Sequence, residues 1–143
     1  MIIREVMIKD VKTIRPSCTV KEAAIMMNEN RFGSLMVVSG TGKIEGIVTE
    51  RDILTDVVAE GKDSGCVKVK DIMTKDLVII SPEKTLEEAA DIMTEEKIKK
   101  LPVVENGRLV GIVTATDLIS YEKDLIEKIA TLLTVSPMKR IGG

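Results

Sequence analysis

With 143 residues and a mass of 15.7 kDa, the chain has room for one compact unit or two very small ones fused. A formal charge of -2 and a pI near 5.3 give no bulk attraction to phosphate backbones, and two rings, Phe32 and Tyr121, cannot build base-stacking platforms. There is no histidine, which removes Ser-His and Cys-His nucleophiles and most zinc sites and leaves carboxylates, lysines and two cysteines for any catalysis.

From the amino terminus, Arg4, Glu5, Lys9 and Asp10 stand where a secretory leader needs an apolar core, so the expected location is the cytoplasm. Val11–Ile14 predicts a short strand stopped by Pro16. Thr19-x-x-Glu22 is a capping box opening a helix whose apolar residues Val20, Ala23, Ala24 and Met27 recur at helical spacing. Leu35–Val38 and Ile44–Val48 form a hairpin, and a second helix starts at Thr49. The longest uncharged run, Phe32–Gly42, has 11 residues and is far too short to cross a membrane. Glu60–Gly65 reads as a polar linker. The same order then returns: strand Leu77–Ile80, capping box Thr85-x-x-Glu88 with Leu86, Ala89, Ala90 and Met93, hairpin Leu101–Val104 with Leu109–Val113, and a helix from Thr114. Asn106-Gly107 is a strong two-residue hairpin signal. Leu118–Leu133 reads as an extended last helix with a leftover apolar stripe, which suggests a homodimer, and 136–143 as a frayed end.

The return is an internal repeat. A shift of 66 residues lays Met7-Ile-Lys-Asp-Val on Met73-Thr-Lys-Asp-Leu and Thr19-Val-Lys-Glu-Ala-Ala on Thr85-Leu-Glu-Glu-Ala-Ala. Beyond the hairpin turn the offset becomes 65, and Gly46-Ile-Val-Thr-Glu-Arg-Asp52 falls on Gly111-Ile-Val-Thr-Ala-Thr-Asp117. The predicted fold class is mixed α/β, of the α+β kind, as tandem β-α-β-β-α repeats over residues 1–65 and 66–143 packed about a pseudo-twofold axis. A copy of this size is marginal for a private core, and pairing the two relieves that. Cys18 and Cys66 are isolated in sequence and read as free thiols of a reducing compartment.

Gly-x-x-Thr-x-x-Asp is the element repeated most faithfully, and two readings of it stand open. In one, Thr49 and Thr114 are N-caps and Asp52 and Asp117 reach back to complete a capping box, although that bond suits the longer Glu or Gln. In the other, the aspartates accept hydrogen bonds from the vicinal hydroxyls of a ribose, as acidic side chains do in dinucleotide folds. A phosphate then needs cations and hydroxyls: Arg51 in the first copy, and Lys99, Lys100 and Thr116 in the second. The lysine run also fits a solvated edge that discourages strand pairing. An adenine slot can draw on Ile14, Ala23 and Val38 in the first copy and Ile80, Ala89 and Val103 in the second, with Pro102 beside them; ordinary core packing explains these apolar residues equally well. Asp52 and Asp117 also suit a magnesium ion or acid–base work, but one lies on each copy with no nucleophile beside it, so no enzyme and no metal site are expected.

Taken together, Val69-Lys-Asp-Ile-Met-Thr74, Lys97-Ile-Lys-Lys-Leu-Pro-Val-Val104 and the two Gly-Ile-Val-Thr segments resemble the CBS domain, named for cystathionine β-synthase. The whole chain resembles a stand-alone pair of such domains across residues 1–135. The resemblance implies a disc-like pair whose clefts bind AMP, ADP, ATP or S-adenosylmethionine as regulatory ligands, no cofactor being required, and which reports metabolite state to an unidentified target protein. It favours the ribose reading of the aspartates. The first copy departs from the pattern at Gly33-Ser34-Leu35-Met36, where the second has Lys99-Lys100-Leu101-Pro102, which predicts unequal sites. The alternative is a protein- or nucleic-acid-interaction module with no small-molecule ligand.

Overall fold

The computed structural model describes residues 1–121 and 126–134. Its elements run α1 (Ile3–Val6), β1 (Thr13–Ile14), α2 (Val20–Asn30), β2 (Ser34–Val38), β3 (Ile44–Thr49) and α3 (Glu50–Ile53), which continues as a π-helical segment (Leu54–Val58). They go on as α4 (Val69–Ile72), α5 (Leu86–Glu96), β4 (Lys100–Glu105), β5 (Arg108–Thr114), α6 (Ala115–Tyr121) and α7 (Ile126–Thr134). The predicted repeat order is present in full in the first copy and, apart from its opening strand, in the second. Of the predicted last helix, α6 and α7 are described, while its residues 122–125 lie outside the described residues, as does the predicted frayed end.

The chain forms two compact units, and they do not coincide with the halves of the sequence. Among the described residues, one gathers 12–77; the other joins 1–11 to 78–121 and 126–134. The boundary drawn at 65/66 thus divides the repeated sequence, while each compact unit takes its opening helix from the other side of that line. The two opening helices, α1 and α4, were missed in the sequence because four residues are too few to show a 3.6-residue period.

In the unit of residues 12–77, β1 pairs parallel with β2 and β2 antiparallel with β3, with a register shift at Val37/Val38. Ile14, Val20, Ala23, Met27, Leu35, Val37, Val48, Val57, Val69 and Ile72 make its core. In the other unit, β4 pairs antiparallel with β5, the shift recurs at Val103/Val104, and Ile80 makes a single parallel bridge to Val103 where a strand was expected. Asn106 and Gly107 have φ of 53° and 78°, both in the left-handed region that the tight hairpin turn demands. Thr85 and Glu88 form the full predicted capping box, with Thr85 N donating to Glu88 Oε1 at 2.9 Å and Glu88 N to Thr85 Oγ1 at 3.1 Å. At α2 the Thr19 hydroxyl accepts from Glu22 N at 3.2 Å.

The glycine of each Gly-Ile-Val-Thr segment has a packing cause. A Cβ on Gly46 would lie 2.6 Å from Thr74 O, and one on Gly111 would lie 2.7 Å from Met7 Sδ and 2.9 Å from Ile8 O. The chain leaving α4 bridges to Ile47, and the chain leaving α1 bridges to Ile112, so only a bare backbone leaves room for the crossing. Arg4 strengthens the second case by ion-pairing with Glu83 and Glu105. Cys18 and Cys66 are free thiols, and Cys66 is held in the protonated direction by the neighbouring Asp63 carboxylate.

Candidate functional site

Each second helix starts where a core strand ends. Thr49 and Thr114 are extended in backbone and begin the turn, so their hydroxyls meet the first free amides of α3 and α6. Asp52 N donates to Thr49 Oγ1 at 3.1 Å, and Thr49 N donates to Asp52 Oδ2 at 2.9 Å. In the second repeat Asp117 N donates to Thr114 Oγ1 at 3.1 Å, and Thr114 N to Asp117 Oδ2 at 3.3 Å. The aspartates do reach back, contrary to the expectation that their short side chains fit this bond poorly. Both are half-buried. Each bond uses one carboxylate oxygen, and among the described residues the second oxygen of each has no partner. A carboxylate can cap with one oxygen and accept from a hydroxyl with the other.

Around this turn the repeats differ in charge. In the second repeat Lys100 pairs across the hairpin with Thr114, and Ala115 N donates to Lys99 O at 2.8 Å, so the lysine pair and the Thr114-Ala-Thr-Asp117 turn share one strand end. Thr116 is exposed on the same turn. In the first repeat the matching pair is Ser34 with Thr49, and Glu50 N donates to Gly33 O at 3.0 Å. Glu50 stands where the second repeat has Ala115, and its Oε1 lies where a side chain on Gly33 would begin, 3.0 Å from that Cβ position. A carboxylate thus occupies the place that two lysines flank in the second repeat. Arg51 is exposed.

The apolar residues drawn toward an adenine slot are core residues. Ala23, Ala89 and Val103 have 0% exposure, Ile14 and Ile80 have 4% and 3%, and Val38 has 8%. Pro102 is also buried, and its carbonyl accepts from Ile80 N at 3.0 Å. Ile14 and Ala23 pack in the core of one unit, and Ile80, Ala89 and Val103 in the core of the other. An open cavity lies elsewhere in the unit of residues 12–77. It measures about 850 Å³, opens to solvent between α2 and the π-helical segment, and is lined by none of the ligand candidates. No group of three or more His, Cys, Asp or Glu side chains able to hold a metal exists among the described residues, nor any helix long and apolar enough to cross a membrane.

The CBS domain family model matches residues 3–59 and 69–124, so the chain belongs to the CBS domain family and carries two copies of the domain. A CBS domain-containing protein of Bacillus subtilis, YhcV, is 36% identical over 116 residues, covering 81% of each chain. An uncharacterized protein of Methanopyrus kandleri is 36% identical over 126 residues, which are 87% of this chain and 64% of that one. An inosine-5'-monophosphate dehydrogenase of Korarchaeum cryptofilum is 45% identical over 116 residues, but these are only 23% of its length. Among solved structures, a conserved CBS domain protein of Thermoplasma acidophilum superposes with a TM-score of 0.75 at 28% identity, over 94% of this chain and 77% of that one. A protein described as a hexameric CBS-CP12 protein from bloom-forming cyanobacteria superposes with a TM-score of 0.69 at 33% identity, over 89% and 74%.

Proposed function

We propose that the chain is a non-catalytic regulatory module of the cytoplasm that binds an adenosine-containing ligand and signals to a target protein, in a self-associated form. The observation that carries the ligand half is the charge at the second-repeat turn: Lys99, Lys100, Thr114, Thr116 and Asp117 converge on one strand end. Asp117 Oδ1 accepts from a ribose hydroxyl, while Lys100 and Thr116 meet a phosphate. AMP, ADP, ATP and S-adenosylmethionine share that ribose. The Glu50 carboxylate makes the first-repeat site the weaker one. Membership in a family that pairs such domains supports the reading, and the cyanobacterial relative described as hexameric supports self-association.

The test is calorimetry with AMP and ATP, preceded by a melting-temperature screen, since a ligand that binds only the folded state raises stability by mass action. Asp117→Asn keeps an oxygen for the cap but removes the charge, and is expected to weaken binding by ~1–3 kcal/mol. Asp52→Asn is expected to change it by less than about 0.5 kcal/mol. Lys100→Ala is expected to weaken ATP more than adenosine; equal loss on both removes the phosphate contact. The capping bonds of Asp52 and Asp117 favour one competing reading, an interaction module whose aspartates only cap helices. No melting shift with any adenosine or guanosine compound selects that reading.

A further inference from the structure

The two units hold their opening helices with the same backbone bonds but different side chains. Arg4 N donates to Pro82 O at 2.8 Å, and Lys70 N donates to Pro16 O at 3.0 Å. Ile3 N donates to Lys84 O and Val69 N to Cys18 O, both at 2.8 Å. Residues 4 and 70 therefore hold one structural position, and residues 83 and 17 hold another. Glu105 and Ser39 hold a third: each follows the register shift of its hairpin and faces the residue that closes the turn, Arg108 or Lys43.

At these three positions the second unit has an ion cluster. Arg4 donates to Glu83 through Nε at 2.9 Å and through Nη2, and Nη2 also reaches Glu105. Two carboxylates thus tie α1 to the loop before α5 and to the end of β4. The first unit has Lys70, Ser17 and Ser39 instead: the cation is kept, and hydroxyls replace both anions. Further positive charge gathers there. Lys68 Nζ donates to Ser17 O at 3.4 Å, and the Arg15 guanidinium lies against Gly40, 3.1 Å from where a Cβ would stand. Among the described residues Arg15, Lys68 and Lys70 make no ion pair. The two hydroxyls differ in their duties. Ser39 Oγ is built into its turn, accepting from Lys43 N at 3.2 Å and Thr41 N at 3.3 Å. Ser17 is exposed, and its hydroxyl has no partner among the described residues.

We propose that Ser17 is a phosphorylation site, and that its phosphate completes in the first unit the clamp that Glu83 and Glu105 complete in the second. A protein kinase supplies the reaction. Ser17 Oγ bonds to the γ-phosphorus of a nucleoside triphosphate, the bond from that phosphorus to the diphosphate breaks, and the hydroxyl proton passes to the kinase's base. The product carries nearly two negative charges and three acceptor oxygens, so one phosphate stands for two carboxylates against Lys70, with Arg15 and Lys68 beside it. It pins α4, the last helix before the chain passes on to the second repeat. The cluster sits at the Val38 end of β2, whereas Thr49 pairs at the Ser34 end, so the inference rests on neither half of the proposed function.

Mass spectrometry of the chain isolated from its native cells, growing and nutrient-limited, tests the modification. Phosphate on Ser17 is expected in at least one state, and its absence from both overturns the proposal. Thermal unfolding of the full chain made with phosphoserine at position 17 tests the clamp. This chain is expected to melt about 2–4 °C above the unmodified one. Lys70→Ala with Arg15→Ala should remove most of that gain, while shifting the unmodified chain by less than about 1 °C. Ser17→Glu supplies a single negative charge and should give about half the gain, lost in the same double-alanine background. A phosphoserine chain that melts no higher, or whose gain survives the loss of both cations, overturns the proposal.

Discussion

The second repeat spends its apolar helix face on its own chain, while the first, among the described residues, leaves the same face open. The sequence difference behind this is small. Ala90 and Ala24 are the same residue at the same place, but Ala90 is fully buried beneath α7 and Ala24 lies at the edge of a cavity. A repeat fixes what a surface is made of; its covering depends on what the chain does next. The same holds at the ligand turn, where Thr and Asp are shared and the neighbours, Lys99 and Lys100 against Gly33 and Glu50, set the charge.

The largest expected effect tests that covering. Ile129→Ala should cost about 2–4 kcal/mol in urea unfolding, since it opens a cavity under α7. Ile25→Ala should cost less than about 0.5 kcal/mol. Equal losses would erase the distinction between the covered and the open face.

A second comparison concerns the crossing points, where the repeats should behave alike in sign and differ in size. Gly46→Ala should destabilise by about 1–3 kcal/mol, because its nearest obstacle is the Thr74 carbonyl of the main chain. Gly111→Ala should cost less, since the Met7 thioether can move aside even though the Ile8 carbonyl cannot. Thermal unfolding of the two variants ranks them.

The smallest effect is a pH dependence at the capping box of α5. The Glu88 carboxyl is held below its ordinary range, chiefly by the Thr85 amide and further by Lys84. A carboxyl lowered in the folded state adds stability above its unfolded pKa and loses it as pH falls through the folded one. Stability should therefore drop as pH falls below the usual glutamate range, and Glu88→Gln should flatten part of that limb. An unchanged acid limb in that variant would assign the loss to other carboxylates.

Legibility followed the length of each signal. The helices α2 and α5, the hairpins and the Asn106-Gly107 turn were readable because period and turn chemistry act over neighbours in sequence. The opening helices α1 and α4 were not, because a single turn carries no period, and their stability comes from contacts made far along the chain. The site was half legible. Thr114, Asp117 and the lysine pair do meet, whereas Ala23, Ala89 and Val103, plausible as a slot, are sealed in the cores. The reach of an aspartate back to its own threonine was misjudged, since it depends on turn geometry and not on chain length alone. Of the terminal stripe read as a partner surface, Ile129 and Leu132 are buried in the core, whereas Ile126 and Leu133 are exposed.

The sequence by itself determined the duplication, the element order and the residues at each helix start, because those follow from local spacing and hydrogen-bonding chemistry. Only the tertiary structure decided which opening segment packs with which repeat, why Gly46 and Gly111 must lack a side chain, and which of two like faces is covered. Those outcomes depend on contacts between residues far apart in the chain, and such contacts leave no periodic trace in the sequence.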